Sequence, residues 1–371
     1  MNESAALLDL IQEHLDGFCA QQHSDFSHIS PDLAPIVDYS QALLKGGKRL
    51  RALFTYWAWQ GSLANSATRQ TTEQLAVSSE AMVGITAALE MFHAAALVHD
   101  DILDQSDTRR GEPAVHKKFE ALHQQNQWSG SHERFGVGAG VLVGDLLLSW
   151  SSEMFGRALQ GAPTPAIEAA CRDEFAKMRI EVMAGQYLDV LEENAAMSRD
   201  VSEAVGRANR VMLYKTAKYT IEAPMLIGAA FAGADPALLR GFSAFGIPLG
   251  MAFQLRDDVL GVFGDPAITG KPAGDDLREG KRTVMVGLTR ESLNSSVGRV
   301  FDEMLTSRSL NDEQITFLQQ TIIGCGALTK VERMIEDLAN QALEALSELE
   351  ITDAARDNLR GLAVKVIRRD S

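Results

Sequence analysis

The chain has 371 residues, of which 46% are hydrophobic and 23% charged, and its formal net charge is −15. This composition is typical of a soluble globular protein with a sizeable core, and so acidic a chain lacks the basic surface that nucleic acid requires. We therefore expect no nucleic-acid partner. Cys19, Cys171 and Cys325 are too scattered for a disulfide framework or a metal motif, which favours a reducing compartment.

Helical periodicity runs through nearly every long segment. Apolar residues recur every three or four positions in four stripes, which are Leu7/Leu8/Ile11/Leu15, Met82/Ile85/Leu89/Phe92/Ala96, Leu310/Ile315/Leu318/Ile322 and Val331/Ile335/Leu338/Ala342/Ala345/Leu349. No run alternates like a strand, and no Asn-Gly hairpin signal occurs. Loops are expected at 60–72, 105–134, 161–166 and 264–281. The sequence predicts an all-α fold of roughly a dozen helices in one domain, residues 1–371.

The chain is expected to lie in the cytoplasm and to lack a transmembrane segment. Its start, Met1-Asn2-Glu3-Ser4, is acidic, unlike the basic and then apolar start of a signal peptide. The most apolar stretches, 81–98 and 135–150, are interrupted or flanked by charged or polar residues, and neither offers about 20 uninterrupted apolar residues.

The first chemical motif is Gly46-Gly47-Lys48-Arg49-Leu50-Arg51. Two glycines let the backbone approach an anion, and the cations that follow can bind it. The motif is not a Walker loop, because it lacks the second-glycine spacing and a Ser or Thr after the Lys. A basic surface at a helix start is the alternative interpretation.

The second motif is His99-Asp100-Asp101-Ile102-Leu103-Asp104, followed by Arg109 and Arg110. Asp100 and Asp104 share one helix face, where like charges repel unless a cation lies between them. Two carboxylates with little else nearby suit Mg²⁺, which completes its shell with water and phosphate oxygens. His93 lies on the same face, seven residues earlier. A solvated acidic helix end and a buried core histidine are the alternatives.

A second aspartate cluster, Arg256-Asp257-Asp258-Val259-Leu260-Gly261, stands 157 residues later. The two clusters predict two halves of one site that binds a polyphosphate through several ions. Weaker signals accompany them: Gly185-Gln186, Lys215-Thr216 in an apolar run, Gln254 one turn before Asp257, and a loop with Lys271 that ends at Gly280-Lys281.

From about residue 40 to 285 the chain resembles the trans-isoprenyl diphosphate synthases, the polyprenyl synthetase family. The resemblance rests on the order of GGKRLR, H…HDDILD…RRG, GQ, KT, Q-RDD and GK-GDD-GK. It implies a helical bundle around a central cavity, usually a homodimer with three Mg²⁺ ions. It also implies head-to-tail condensation of isopentenyl diphosphate with an allylic diphosphate, namely dimethylallyl, geranyl or farnesyl diphosphate.

The resemblance also implies roles for individual residues. The metal ligands would be Asp100, Asp104 and Asp257, and the isopentenyl diphosphate pocket would comprise Lys48, Arg51, His93 and Arg110. The allylic side would comprise Arg109, Lys215, Thr216, Gln254, Lys271 and Lys281, with Lys215, Thr216 and Gln254 stabilising the carbocation. Gly261 departs from the pattern, because many members carry a third Asp there; we still expect activity.

Product length should depend on the residues below Asp100. Ala96 and Ala95 lie roughly 6–7.5 Å deeper along the helix, and Phe92 about 12 Å deeper. Small residues near the mouth and an aromatic floor favour geranylgeranyl diphosphate (C20) over farnesyl diphosphate. Phe92 as an ordinary core residue is the alternative.

Three other functions compete with this prediction. A longer-chain polyprenyl synthase is the foremost. A class I terpene cyclase shares the DDxxD motif but needs no second diphosphate pocket. A non-catalytic synthase subunit could lose its aspartates, whereas this chain keeps five of the six.

Overall fold

The computed structural model describes residues 3–65, 70–265, 274–307 and 310–368. Its α-helices are α1 Glu3–Ser27, α2 Ala34–Leu44, α3 Leu50–Ser62, α4 Thr72–Leu103, α5 Val115–Gln125, α6 His132–Ala158, α7 Pro165–Ala195, α8 Ala204–Val211, α9 Ala223–Phe231, α10 Pro236–Phe263, α11 Asp275–Glu279, α12 Val284–Ser292, α13 Ser295–Leu305, α14 Asp312–Gly324, α15 Ala327–Glu348 and α16 Asp353–Ile367. A π-helical segment, Met212–Glu222, connects α8 to α9, and short 3₁₀ turns occupy Pro31–Leu33, Leu63–Asn65, Leu159–Gly161, Ala196–Ser198 and Val201–Glu203. The all-α prediction is confirmed.

The predicted loop 105–134 was wrong in part, because it contains helix α5. Its Gln- and His-rich composition suggested a loop, but Val115, Phe119 and His123 stand four apart and are buried on one face. The same segment holds a two-stranded hairpin that the sequence pattern did not predict, β1 Thr108–Arg109 and β2 Glu112–Pro113. Its two connecting residues, Arg110 and Gly111, both have positive φ (55° and 79°), as a two-residue turn of the mirror type requires.

The chain divides into two compact units. The first comprises Met1–Tyr56 and Thr68–Cys171, and the second Trp57–Ala67 and Arg172–Ser371. A single domain over the whole chain stays a prediction.

In the first unit, the long helix α4 packs against α6. Thr71 and Gln74 form a capping box that starts α4, and the backbone N–H of Asp104 donates to the Asp100 carbonyl at its end. A Cβ at Gly144 of α6 would lie only 2.1 Å from His99 Nε2, so glycine permits this close approach. The Ser151 hydroxyl of α6 donates to the Ala88 carbonyl at 2.8 Å. The two helices are thereby held in one register.

In the second unit, α10 lies among α12 to α15 around an apolar core. The stripes predicted for α14 and α15 are largely buried there, including Ile315, Leu318, Ile322, Val331 and Ile335. Arg256 of α10 donates through both terminal nitrogens to Glu332 of α15, at 2.8 and 2.9 Å. The arginine beside the second aspartate cluster is therefore engaged in helix packing.

Three helices in the described residues are long and apolar enough to cross a membrane, judged by length and composition only. They are Thr72–Leu103, His132–Gly161 and Pro236–Phe263, and 78%, 39% and 44% of their most apolar windows is buried within the protein. The absence of a transmembrane segment and the cytoplasmic location stay predictions. Cys19, Cys171 and Cys325 are free in the structure.

Candidate active site

The loop with two glycines after α2 borders a cleft in the first unit, and Gly46 lines that cleft. Gly46 and Gly47 have φ of +73° and +89°, which side-chain-bearing residues rarely adopt. A Cβ at Gly47 would lie 3.0 Å from Arg110 Nη2, so the guanidinium lies directly against the glycine backbone. Arg110 also donates to the carbonyls of Leu43 and Lys45, at 3.2 and 3.3 Å. The hairpin turn thus delivers Arg110 to the GGKRLR loop.

This cleft contains about 220 Å³ of empty space, part of which is open to solvent, and is lined by Leu43, Leu44, Gly46, Arg49, Glu90, His93, Ala94, Leu97 and Arg110. Lys48 is exposed in the same loop, and Arg51 is half-buried in the first turn of α3. His93 and Arg110, two of the four residues predicted for the isopentenyl diphosphate pocket, therefore line one cleft.

Glu90 organises this cleft, although the sequence interpretation treated it only as an interruption of an apolar stretch. It is buried on α4, with one oxygen 3.4 Å from the Ala52 N–H and the other 3.8 Å from Arg49 Nη1. Burial raises the pKa of Glu90, while Arg51 and Arg49 lower it. A buried acid in an apolar helix was the available signal, because such a group is rarely buried without a partner.

His93 is a neutral hydrogen-bonding group in this cleft. Burial lowers its pKa well below the usual value, and the positive charges of Arg51, Arg110 and Arg109 act in the same direction. A neutral imidazole offers one N–H donor and one acceptor. His93 lies on the face of α4 that carries Asp100, roughly 10 Å away along the helix axis.

The first aspartate cluster separates into two kinds of carboxylate. Asp100 and Asp104 are half-buried at the end of α4, whereas Asp101 is 2% exposed. Arg109 Nε donates to Asp101 Oδ1 at 2.8 Å, and Arg109 Nη2 lies 3.5 Å from Asp100 Oδ2. Arg109 is thus tied to the aspartate that the sequence interpretation left without a role.

The donor set at Asp100 and Asp104 fits Mg²⁺. Within residues 3–65, 70–265, 274–307 and 310–368, no three His, Cys, Asp or Glu side chains gather into a metal cage. Mg²⁺ does not require one, because it usually binds one or two carboxylates and completes its shell with water and substrate phosphates. The two half-buried carboxylates on one helix face match that requirement.

In the second unit, Lys215 and Thr216 lie in the π-helical segment, a rare conformation that frequently occurs at functional sites. Glycines of two neighbouring helices make this packing possible. A Cβ at Gly185 of α7 would lie 2.3 Å from the Lys215 nitrogen, and one at Gly250 of α10 would lie 2.5 Å from Ala217 Cα. Lys215 Nζ donates to Asp189 Oδ2 at 2.5 Å. Asp189 therefore fixes the ammonium group.

The second aspartate cluster repeats the division seen in the first. Asp257 is half-buried, whereas Asp258 is 5% exposed. Gln254 donates to Asp258 Oδ1 at 2.7 Å. Burial and then the negative charge of Asp276 raise the pKa of Asp258 to about 8. Gln254 thus supports the buried aspartate of the pair.

Gly261, where many family members carry a third aspartate, leaves room for a different carboxylate. A Cβ at this position would lie 2.0 Å from Asp276 Oδ2 and 2.3 Å from its Cγ. Lys281 Nζ lies 3.5 Å from Asp276 Oδ1 and 2.7 Å from Glu279 Oε2. Asp276 was visible in the sequence only as part of the GDD run, and its closeness to Gly261 follows from the packing of α11 against α10.

The remaining predicted residues are Lys271 and the three residues expected to control product length. Lys271 lies outside the described residues. Phe92 and Ala95 are fully buried in α4, and Ala96 is half-buried. Ala95 lies on the same helix face as Ala88 and His99, which contact α6, whereas Ala96 shares the face of Asp100. Whether these three residues set product length stays a prediction.

Comparison with known proteins gives a consistent result. The Polyprenyl synthetase family model matches residues 33–322. The geranylgeranyl diphosphate synthase of Sulfolobus acidocaldarius is 30% identical to this chain, and the match covers 92% of this chain and 91% of that protein. The geranylfarnesyl diphosphate synthase of Aeropyrum pernix is 29% identical, and the match covers 92% of this chain and 96% of that protein. Among solved structures, the geranylgeranyl pyrophosphate synthase of Corynebacterium glutamicum, complexed with isoprenyl diphosphate and magnesium, has a TM-score of 0.88 and 36% identity over 98% of both chains. The chain therefore belongs to the polyprenyl synthetase family, whose members are prenyltransferases that condense isopentenyl diphosphate with allylic diphosphates.

Proposed function

We propose that this protein is a Mg²⁺-dependent geranylgeranyl diphosphate synthase that adds isopentenyl diphosphate to dimethylallyl, geranyl and farnesyl diphosphates. One observation carries the proposal: a cleft lined by Gly46, His93 and Arg110 lies apart from the aspartate cluster, with the Arg110 guanidinium against Gly47. We assign this cleft to the diphosphate of the second substrate. A terpene cyclase has no second diphosphate to bind and no use for this cleft.

In the proposed reaction, Arg51 and Arg110 bind the diphosphate of isopentenyl diphosphate and Lys48 closes over it from the exposed loop. Neutral His93 donates one hydrogen bond to the same group without adding charge. The arginine forks suit phosphate oxygens geometrically. This binding holds the double bond still while the allylic partner ionises, and such positioning supplies much of the rate.

On the allylic side, Lys215, Lys271 and Lys281 bind the diphosphate, and Arg109 contributes from the hairpin. The carbonyl dipoles of the π-helical segment around Thr216, together with Gln254, stabilise the allylic carbocation. The proton lost after condensation passes to the departing diphosphate, so no protein base is assigned.

We assign three Mg²⁺ ions to the site, which would be held by Asp100, Asp104 and Asp257. When bound, the metal would neutralise the negative charge of the leaving diphosphate. The magnesium in the Corynebacterium glutamicum complex supports dependence on Mg²⁺. We propose further that Asp276 acts as a metal ligand in place of the third aspartate, which is Gly261 in this chain. Its carboxylate occupies the space beside Gly261 that a side chain would need.

Product length is assigned as C20, with farnesyl diphosphate as a shorter product and longer polyprenyl diphosphates as the alternative. The relatives named for geranylgeranyl and geranylfarnesyl diphosphate support this range. Phe92 is the proposed floor, with Ala95 and Ala96 leaving the region above it open.

A homodimer is the proposed assembly. Helix α6 exposes an apolar face on which Phe135, Val141 and Leu142 are 38%, 39% and 59% exposed. A second copy of this chain would cover that face, as the resemblance to a usually dimeric family suggests. Leu142→Glu should convert the protein to monomers in light scattering, and an unchanged mass would refute the assigned interface.

Incubation of the purified protein with Mg²⁺, isopentenyl diphosphate and each allylic diphosphate, followed by product sizing, tests the function. We expect C20 from all three primers. Release of a hydrocarbon from the allylic diphosphate alone would favour a terpene cyclase, and no turnover of any primer would favour a non-catalytic subunit.

A further inference from the structure

The second unit contains a cavity that the residues assigned to catalysis do not line. It contains about 410 Å³ of empty space, part of which is open to solvent. Three arginines and two carboxylates supply its charged lining: Arg207, Arg282, Arg290, Glu192 and Asp302. The guanidinium groups outnumber the carboxylates, so the lining is positive although the chain as a whole carries −15.

The ion pairs in this cavity leave one buried arginine nitrogen without a hydrogen-bond acceptor in the described part of the chain. Arg207 Nε donates to Glu192 at 2.9 Å, and Arg290 Nε donates to Asp302 at 2.5 Å. Arg282 uses Nη1 to reach the other Asp302 oxygen at 3.0 Å. Its side chain is only 8% exposed, and its Nε is buried with no hydrogen-bond partner in the described part of the chain. A buried charged donor left unsatisfied is costly, and native structures rarely keep one without a water, ion or ligand.

A helix start adds to the same positive field. Thr283 lines the cavity and caps α12, accepting a hydrogen bond from the Val286 N–H at 3.3 Å. Val286 and Gly287 of this first turn also line the cavity. The start of a helix carries partial positive charge and favours anions. Lys281, by contrast, pairs with Asp276 and Glu279, and so belongs to a different cluster from its neighbour Arg282.

We propose that this cavity binds a phosphate-type oxyanion, which accepts hydrogen bonds from the Arg282 guanidinium and lies near the start of α12. Oxyanion chemistry matches the arginine-rich lining better than water alone, because water does not offset the surplus positive charge. Inorganic phosphate and inorganic diphosphate share this chemistry, and the second is released by every prenyl transfer. The proposal does not depend on product length or on which primer is used.

The site is tested by isothermal titration calorimetry with inorganic phosphate and, in a second series, with inorganic diphosphate. Chloride salt keeps the ionic strength constant in both series. Wild-type protein is expected to bind phosphate in this cavity as well as in the cleft at Arg110. Arg282→Gln should weaken the cavity site by about tenfold or more, since a charge-assisted hydrogen bond is lost. Tighter binding in one arm identifies which anion the cavity prefers.

Two variants provide the controls. Arg278→Gln removes an arginine four residues away that pairs with Asp312, and should leave both sites intact. Arg110→Gln should remove the cleft site and keep the cavity site. If Arg282→Gln fails to fold by circular dichroism, Arg282→Lys keeps the charge but lacks the guanidinium donors, and should still lose affinity. Phosphate binding unaltered in the Arg282 variants, or abolished entirely by Arg110→Gln, would overturn the proposal.

Discussion

Replacement of Gly261 by alanine should destabilise the protein, because Asp276 occupies the space that a Cβ needs. The Cβ would lie 2.0 Å from Oδ2, and the Asp276 side chain is only 13% exposed, so it cannot swing freely into solvent. Forced overpacking of this kind costs typically about 1–3 kcal/mol. Elsewhere in a helix the same change would stabilise by up to about 1 kcal/mol, because alanine is the better helix former.

The free energy of unfolding is measured by urea denaturation of the metal-free protein, with far-UV circular dichroism as the signal. Gly206→Ala in α8 is the matched control, because its new Cβ would meet nothing within 4 Å. Asp276→Ala removes the three atoms nearest to position 261, so in that background Gly261→Ala should become neutral or stabilising. The resulting coupling energy should exceed about 1 kcal/mol, within the range known for residues in contact.

A functional arm uses the same pair of residues. Asp276→Ala should raise the Mg²⁺ concentration needed for half-maximal turnover, and Gly261→Asp combined with Asp276→Ala should restore part of that loss. If Gly261→Ala behaves like Gly206→Ala while Asp276 is intact, the argument from crowding is refuted. If the Mg²⁺ requirement does not change in Asp276→Ala, the proposed role of that carboxylate fails.

Three further predictions concern the assigned site. Asp100→Ala should lower turnover by at least about a hundredfold while preserving the circular dichroism spectrum, and unchanged turnover at saturating Mg²⁺ would contradict its role as a metal ligand. Lys48→Ala should chiefly raise the KM for isopentenyl diphosphate and Lys215→Ala that for the allylic substrate, so equal effects on both KM values would show that the two pockets are not distinct. Phe92→Ala should lengthen the product beyond C20 and Ala96→Phe should shorten it, as measured by chromatography; unaltered product lengths would assign chain-length control to other residues.

Sequence periodicity predicted the helices because one face of each is buried, and a buried helix face requires apolar residues every three or four positions. It placed His93 and Asp100 on one face of α4, with Asp104 directly after the last helical residue, since helix geometry alone fixes that relation. It missed α5, where a short stripe of Val115 and Phe119 is diluted by glutamine and histidine.

Contacts between distant segments were beyond the sequence pattern. The meeting of Arg110 with Gly47 depends on a turn in which Arg110 itself has positive φ, a conformation that residue type does not announce. The approach of Asp276 to Gly261 depends in the same way on the packing of α11 against α10. Spacing within one helix could reveal neither contact.

The two aspartate doublets illustrate how local geometry and tertiary contacts combine. Adjacent residues on a helix point about 100° apart, so a doublet at the edge of a core presents one carboxylate outward and buries the other. Asp100 and Asp257 are the half-buried members, whereas Asp101 and Asp258 are buried. Each buried member has its own donor, Arg109 in one case and Gln254 in the other. The second aspartate of each doublet therefore anchors a neighbouring residue that the proposed function assigns to the substrate side. This contact gives a reason for a pair of aspartates where the proposed metal site uses only the first.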